Sequence, residues 1–171
     1  MFSQNCALRI NRYPLFESLP YADDDIGFRT QSRLDGKELR LLLIEDEASD
    51  VALAKELLSE SMPDYEWEIC ATPSMADALI ALNESRFDLA LVDLTLADME
   101  GSQTVDVLCM AAPYLPLVVY SGTGDTRLLT EALIFGAQSY LQKGHINPDI
   151  MRTTLQNALA RFPRICPQHG A

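Results

Sequence analysis

The sequence predicts an α/β fold, a doubly wound parallel sheet of five strands in the order 2-1-3-4-5 with helices on both faces. Three observations predict it. From Leu39 onward, strand and helix patterns alternate five times, as in chains built from parallel strands and crossover helices. Three strand segments, 39–44, 89–92 and 115–119, are nearly continuous apolar runs, which is how strands buried on both faces read. The other two, 65–69 and 137–141, mix polar with apolar residues, which marks strands at the edges. Edge strands 2 and 5 around interior strands 1, 3 and 4 match one of the two common doubly wound orders.

The helices carry ordinary start and stop signals. The first spans 48–59, with Leu53, Leu57 and Leu58 on one face and Pro63 helping to end it. The second opens at Ser74, a favourable N-cap with Asp77 three residues on. The third follows Gly101. The fourth covers 126–135 and stops at Gly136, whose backbone tolerates the left-handed turn that ends helices. The fifth carries Pro148 in its first turn.

Three regions follow: an N-terminal arm at 1–37, a folded domain at 38–162 and a short tail at 163–171. The arm mixes Tyr13, Phe16, Tyr21 and Phe28 with prolines and the run Asp23-Asp24-Asp25, without helical or strand period. Such a segment reads as flexible or loosely packed. The tail is too short for an output domain.

The chain has 171 residues and a formal net charge of −12, nearly all of it beyond residue 38. Nucleic-acid binding rests on Lys and Arg at phosphates, and this balance repels phosphate, so a nucleic-acid partner is not expected. The same sign argues against an anionic membrane surface. No apolar run approaches a membrane span and no charged-then-apolar leader opens the chain, so the expected location is the cytoplasm. Cys6, Cys70, Cys109 and Cys166 form no CxxC pair. Cys70 and Cys109 read as buried thiols of a reducing compartment.

In such sheets ligands bind beyond the carboxyl ends of the strands, at the switch point between strands 1 and 3. Strand 1 ends in Glu45-Asp46, strand 3 in Asp93 and strand 4 in Ser121, while strand 5 leads to Lys143. Three carboxylates in one crevice either rise in pKa or share a cation. Mg²⁺ suits oxygen ligands and bridges carboxylate to phosphate. With Mg²⁺, Asp93 can attack phosphorus and form an aspartyl phosphate. Lys143 and the Ser121 hydroxyl would help neutralise the phosphoryl oxygens.

The segments 43–47, 91–101, 119–122 and 136–144 (LIEDE, LVDLTLADMEG, VYSG and GAQSYLQKG) resemble the receiver domain of bacterial two-component response regulators, with its flavodoxin-like fold. The likeness covers about 39–162. It implies that Asp93 is the phosphoacceptor and that Asp46 ligates Mg²⁺ directly. It further implies that Glu45 acts on the metal through water and that the Thr95 carbonyl is a backbone ligand. Ser121 matches the hydroxyl that moves onto the phosphoryl group, Tyr140 the aromatic switch and Lys143 the salt-bridging lysine. The implied partners are a histidine kinase or histidine phosphotransfer protein and a downstream protein target. Turnover of an external substrate is not expected. Two positions depart from the family pattern: Gly144 stands where Pro usually follows the lysine, and Ala97 where Pro is common.

Rival readings are weaker. A degenerate receiver, acting as a phosphorylation-independent interaction module, conflicts with the intact set of Glu45, Asp46, Asp93, Ser121 and Lys143. A haloacid-dehalogenase-type phosphatase needs an Asp two residues after its nucleophile, where this chain has Thr95. A serine hydrolase lacks the Gly-x-Ser-x-Gly elbow around Ser121.

The fourth helix also suggests where a signal leaves. Its period turns Leu129, Ala132, Leu133 and Gly136 toward the sheet and leaves Arg127, Glu131 and Ile134 outside, with Phe135 at the flank. Tyr140 lies on the neighbouring strand. This helix 4–strand 5–helix 5 face is the expected contact for a partner or for a homodimer.

Overall fold

The structure, a computed structural model, describes residues 38–161. The arm at 1–37 and the tail at 163–171 lie outside the described residues. Five strands form one sheet: β1 (Glu38–Ile44), β2 (Glu66–Thr72), β3 (Leu89–Val92), β4 (Leu117–Ser121) and β5 (Ser139–Gln142). Their spatial order is β2-β1-β3-β4-β5, and every pairing is parallel, as the alternation of runs predicts. The helices are α1 (Ala48–Ser61), α2 (Met75–Glu84), α3 (Gln103–Ala111), α4 (Thr126–Phe135) and α5 (Pro148–Arg161).

Side chains alternate across the sheet and so feed two cores. Leu42, Ile44, Ala90, Val92 and Val119 face one side, with Met75, Leu82, Leu108 and Leu129 from α2, α3 and α4. Leu41, Leu43, Leu91, Val118 and Tyr120 face the other, with Ala54 and Leu58 of α1 and Met151 and Leu155 of α5. That is why the interior strands read as unbroken apolar runs. Each fully buried leucine contributes about 1.5–3 kcal/mol.

Boundaries shift in three strands, for local reasons. β4 begins at Leu117 rather than at 115, because Pro116 has no N–H to give to the ladder; its carbonyl accepts from Ala90 N at 2.9 Å. The strand also reaches two residues beyond Val119, to Ser121, which makes that hydroxyl part of a buried strand. β2 extends to Thr72, since β1 offers pairing partners from Glu38 to Ile44. β5 starts at Ser139, because Ala137 N is committed to Ala132 O at the end of α4. Gly136 ends that helix at φ 123, and a Cβ there would come within 2.8 Å of Cys109 Sγ.

Two helix faces differ from the expected ones. In α1 the buried residues are Ala54, Leu58 and Ser61, and Leu53 is exposed. In α4 Leu133 is 42% exposed rather than turned to the sheet. Leu128 and Phe135 instead pack beside Leu129 and Ala132, so the stripe sits about one residue away from the expected one. Cys70 and Cys109 are half-buried rather than buried.

Candidate functional site

Three strand ends form the floor of the site, and the backbone fixes each of them. Glu45 N donates to Thr72 O at 2.9 Å, Asp93 N to Ile44 O at 3.0 Å and Lys143 N to Ser121 O at 2.9 Å. The side chains at these positions therefore converge on the same rim. Glu45, Asp93 and Ser121 are buried, and polar groups so placed need partners.

Asp93 has one set of donors for each oxygen. Oδ1 accepts from Ser121 Oγ at 2.6 Å and from Thr95 N and Oγ1, both at 3.1 Å. Oδ2 accepts from Lys143 Nζ at 2.6 Å. The same ammonium donates to Asp50 Oδ2 at 2.7 Å and lies 2.6 Å from Glu45 Oε2. The Glu45 contact is an ion pair with poor hydrogen-bond direction, and Oε2 has no other hydrogen-bond partner. Glu45 Oε1 accepts from Glu47 N at 3.1 Å.

The electrostatics follow from these contacts. Burial pushes the Asp93 carboxyl up, but the Lys143 ammonium, the Ser121 hydroxyl and the Thr95 amide together hold it below its ordinary value. For Glu45 burial wins over its single ion pair, and its carboxyl lies above the ordinary value. Burial acts against the Lys143 charge, yet Asp50, Asp93 and Glu45 raise its pKa. Tyr120, whose ring centroid is 5.2 Å from Lys143 Nζ, is pushed up to about 12 by burial.

The sequence-predicted set is thus mostly brought together. Asp93, Ser121, Lys143 and Glu45 meet in one cluster, and Thr95 closes it. Asp46 sits on the exposed bend next to it. Tyr140 is 45% exposed on β5, its Cα paired with Val119, and does not reach Asp93 in this arrangement. Sequence reasoning missed Asp50, in the first turn of α1; an acid there faces the same rim as Glu45, and that position was the available signal. It also missed Asp98, which holds the loop after β3 against α2. Its two oxygens accept from Met75 N at 3.0 Å and Ala76 N at 3.1 Å, and these bonds keep its carboxyl below the ordinary value. Lys143–Gly144 is a trans peptide, and Gly144 sits at φ 81 with nothing near enough to meet a Cβ.

Among the described residues no three His, Cys, Asp or Glu side chains are grouped as metal ligands; Glu45, Asp50 and Asp93 each contact the Lys143 ammonium. The donor set nonetheless fits a hard divalent cation. It is all oxygen, three carboxylates face one ammonium, and Glu45 Oε2 is buried without a hydrogen bond.

The family description "Response regulator receiver domain" matches residues 41–156. The chain belongs to this family. Receiver domains are the phosphoacceptor modules of two-component signalling, and this one has their five-stranded fold. The regulatory protein LuxO of Vibrio cholerae is 30% identical over 123 residues, which is 72% of this chain and 26% of that protein. The transcriptional regulatory protein ZraR of Salmonella typhimurium is 28% identical over 123 residues, 72% of this chain and 27% of that protein. The chain thus spans about a quarter of the length of these curated relatives. Among solved structures, the signal receiver domain of a LuxO repressor protein from Vibrio parahaemolyticus superposes with a TM-score of 0.61 at 26% identity, covering 72% of this chain and 92% of that one. A CheY-like receiver domain protein from Methanospirillum hungatei gives 0.61 at 25% identity, covering 71% and 94%. No helix among the described residues of this receiver is long and apolar enough to cross a membrane.

Proposed function

We propose that this receiver accepts a phosphoryl group on Asp93 from the phosphohistidine of a histidine kinase or histidine phosphotransfer protein. The observation that carries the reading is the set of contacts on the Asp93 carboxylate, with Ser121 Oγ and Lys143 Nζ each at 2.6 Å. An Asp93 oxygen attacks phosphorus and the O–P bond forms as the P–N bond breaks. The electron pair stays on the leaving imidazole nitrogen, which takes up a proton. Catalysis here is positioning and neutralisation of charge on the phosphoryl oxygens. Lys143 supplies a fixed positive charge, and the Ser121 hydroxyl transfers its hydrogen bond from the carboxylate to a phosphoryl oxygen.

Asp46, Asp93 and the Thr95 carbonyl would hold Mg²⁺, with Glu45 acting through water. Bound there, Mg²⁺ would offset the negative charge shared by carboxylates and phosphoryl group. The fit rests on the all-oxygen donors and on the buried Glu45 Oε2, which accepts no hydrogen bond.

The output follows from the same movement. As Ser121 is drawn inward, space opens beside β4 for Tyr140 to turn in from its exposed position. The surface of α4, β5 and α5 then changes. Ile134 is 77% exposed there, Leu133 and Tyr140 are also exposed, and Arg127 pairs with Glu131 at 3.0 Å. Phe135, half-buried against the core, is at most a flank of this face. A downstream protein, or a second copy of the chain, docks on it when Asp93 is phosphorylated.

The test is incubation with Mg²⁺ and a small acyl phosphate, read by intact mass. Addition of one acid-labile phosphoryl group, blocked by excess chelator, is the expected result. Equal labelling in chelator would remove the role given to the metal.

A further inference from the structure

Lys143 is fixed at both ends. Its backbone N–H donates to Ser121 O at 2.9 Å, and its ammonium ends among three carboxylates. The side chain is only 11% exposed, and its ammonium carries three N–H groups that need acceptors. Two of its carboxylates, Glu45 and Asp93, come from strand ends. The third, Asp50, comes from the first turn of α1, where its backbone N–H is tied to Glu47 O at 3.0 Å.

Asp50 and Asp93 are the two acceptors with good hydrogen-bond geometry, at 2.7 and 2.6 Å. Glu45 is a close ion contact without that direction. Below the ammonium lies the Tyr120 ring, which attracts a cation and gives it no acceptor in that direction. When a phosphoryl group is added to Asp93, the ammonium must turn from the carboxylate to a new oxygen. Asp50, on a separate element, is the hydrogen-bonded partner that such a turn leaves in place.

We propose that Asp50 is a positioning residue for phosphoryl transfer, a fixed post on α1 that aims the Lys143 ammonium at Asp93 without itself touching the phosphoryl group. The role rests on the function proposed above and adds a residue to it.

The test uses the full chain as wild type and as Asp50→Ala, Asp50→Asn and Asp50→Glu. The first readout is the rate of phosphorylation by a small acyl phosphate at saturating Mg²⁺. The second is the ¹⁵N–¹H signal of the Lys143 ammonium in unphosphorylated protein, with thermal unfolding as the control for fold. The expected loss in Asp50→Ala is on the order of tenfold, about 1.4 kcal/mol of barrier. The ammonium signal should vanish into water exchange in the same variant. Asp50→Asn keeps an acceptor oxygen and loses the charge; it should fall between, and it stands in if the alanine protein does not fold. Asp50→Glu should restore both readouts in part. An Asp50→Ala or Asp50→Asn protein that matches wild type in rate and in ammonium signal overturns the role of Asp50. If wild type itself takes no phosphoryl group while its ammonium signal is sharp, the proposed function falls first, and the role of Asp50 in that reaction falls with it.

Discussion

The rim at the strand ends and the outer surface of α4 and β5 are built on opposite rules. At the rim, buried polar groups bind one another, with only Glu45 Oε2 held by charge alone: Asp93, Ser121, Glu45 and Lys143 leave little to solvent, and each lies where a strand stops. On α4, apolar groups stand in solvent, with Ile134 and Leu133 facing outward. The first arrangement is set by topology, because the end of a parallel strand is a fixed place. The second depends on how far a helix is rotated about its axis, and a shift of one residue changes which side chains are exposed.

The largest expected difference comes from making the same substitution in both regions. Leu91→Ala removes a fully buried side chain from β3 and should cost about 2–5 kcal/mol. Leu133→Ala on α4 should stay within about 0.5 kcal/mol. Urea unfolding of the two proteins measures both. A large loss from Leu133→Ala would mean that α4 is rotated the other way, with Leu133 against the sheet.

Titration sharpens the contrast at the rim. Asp93 lies below its ordinary value, so its contribution to stability is present above the unfolded-state pKa and is lost as pH falls through the folded one. Glu45 lies above its ordinary value of 4.5, so its sign is reversed: protonating it as pH falls toward that value favours the folded state. Glu45→Gln should therefore remove a rise in stability on going from neutral pH toward 4.5, and should leave the protein more stable at neutral pH. Denaturant unfolding at a series of pH values compares the two slopes. Identical slopes would place Glu45 in a more polar setting than its burial indicates.

A smaller effect is expected where the loop after β3 meets α2. Asp98→Ala removes acceptors from Met75 N and Ala76 N and should cost about 1 kcal/mol, the usual worth of a helix cap. Urea unfolding of this variant, set against wild type, measures that cost. The smallest effect on stability belongs to Ile134→Asp with Tyr140→Ala, within about 0.5 kcal/mol, since both side chains face solvent. Its phosphorylation should be normal and its phosphorylation-dependent association lost. Unchanged association would move the docking surface elsewhere.

These regions also differ in how well the sequence describes them. Strand order was legible because burial on two faces leaves unbroken apolar runs in β1, β3 and β4, while β2 and β5 are mixed. Asp93 and Ser121 were legible as chemistry because they end such runs, and Lys143 because it follows β5 at the same rim. Asp50 was not, since its partner Lys143 is 93 residues away and a first-turn acid on a helix looks like ordinary capping. Leu53 and Leu133 were misplaced because a leucine fits either side of a short amphipathic helix. Ala54 lies in the buried stripe of α1, and Ala132, expected toward the sheet, is buried in α4; both are small residues that let the helices approach the sheet.

The central claim is that Asp93 takes the phosphoryl group, and comparing wild type with Asp93→Asn tests it most directly. Both proteins would be treated with Mg²⁺ and a small acyl phosphate, followed by intact mass and peptide mapping under conditions that preserve acyl phosphates. The account predicts one phosphoryl group on the wild type, mapped to Asp93, and none on Asp93→Asn, with both proteins folded. Equal labelling of the two, or a phosphoryl group mapped to another residue, would contradict it.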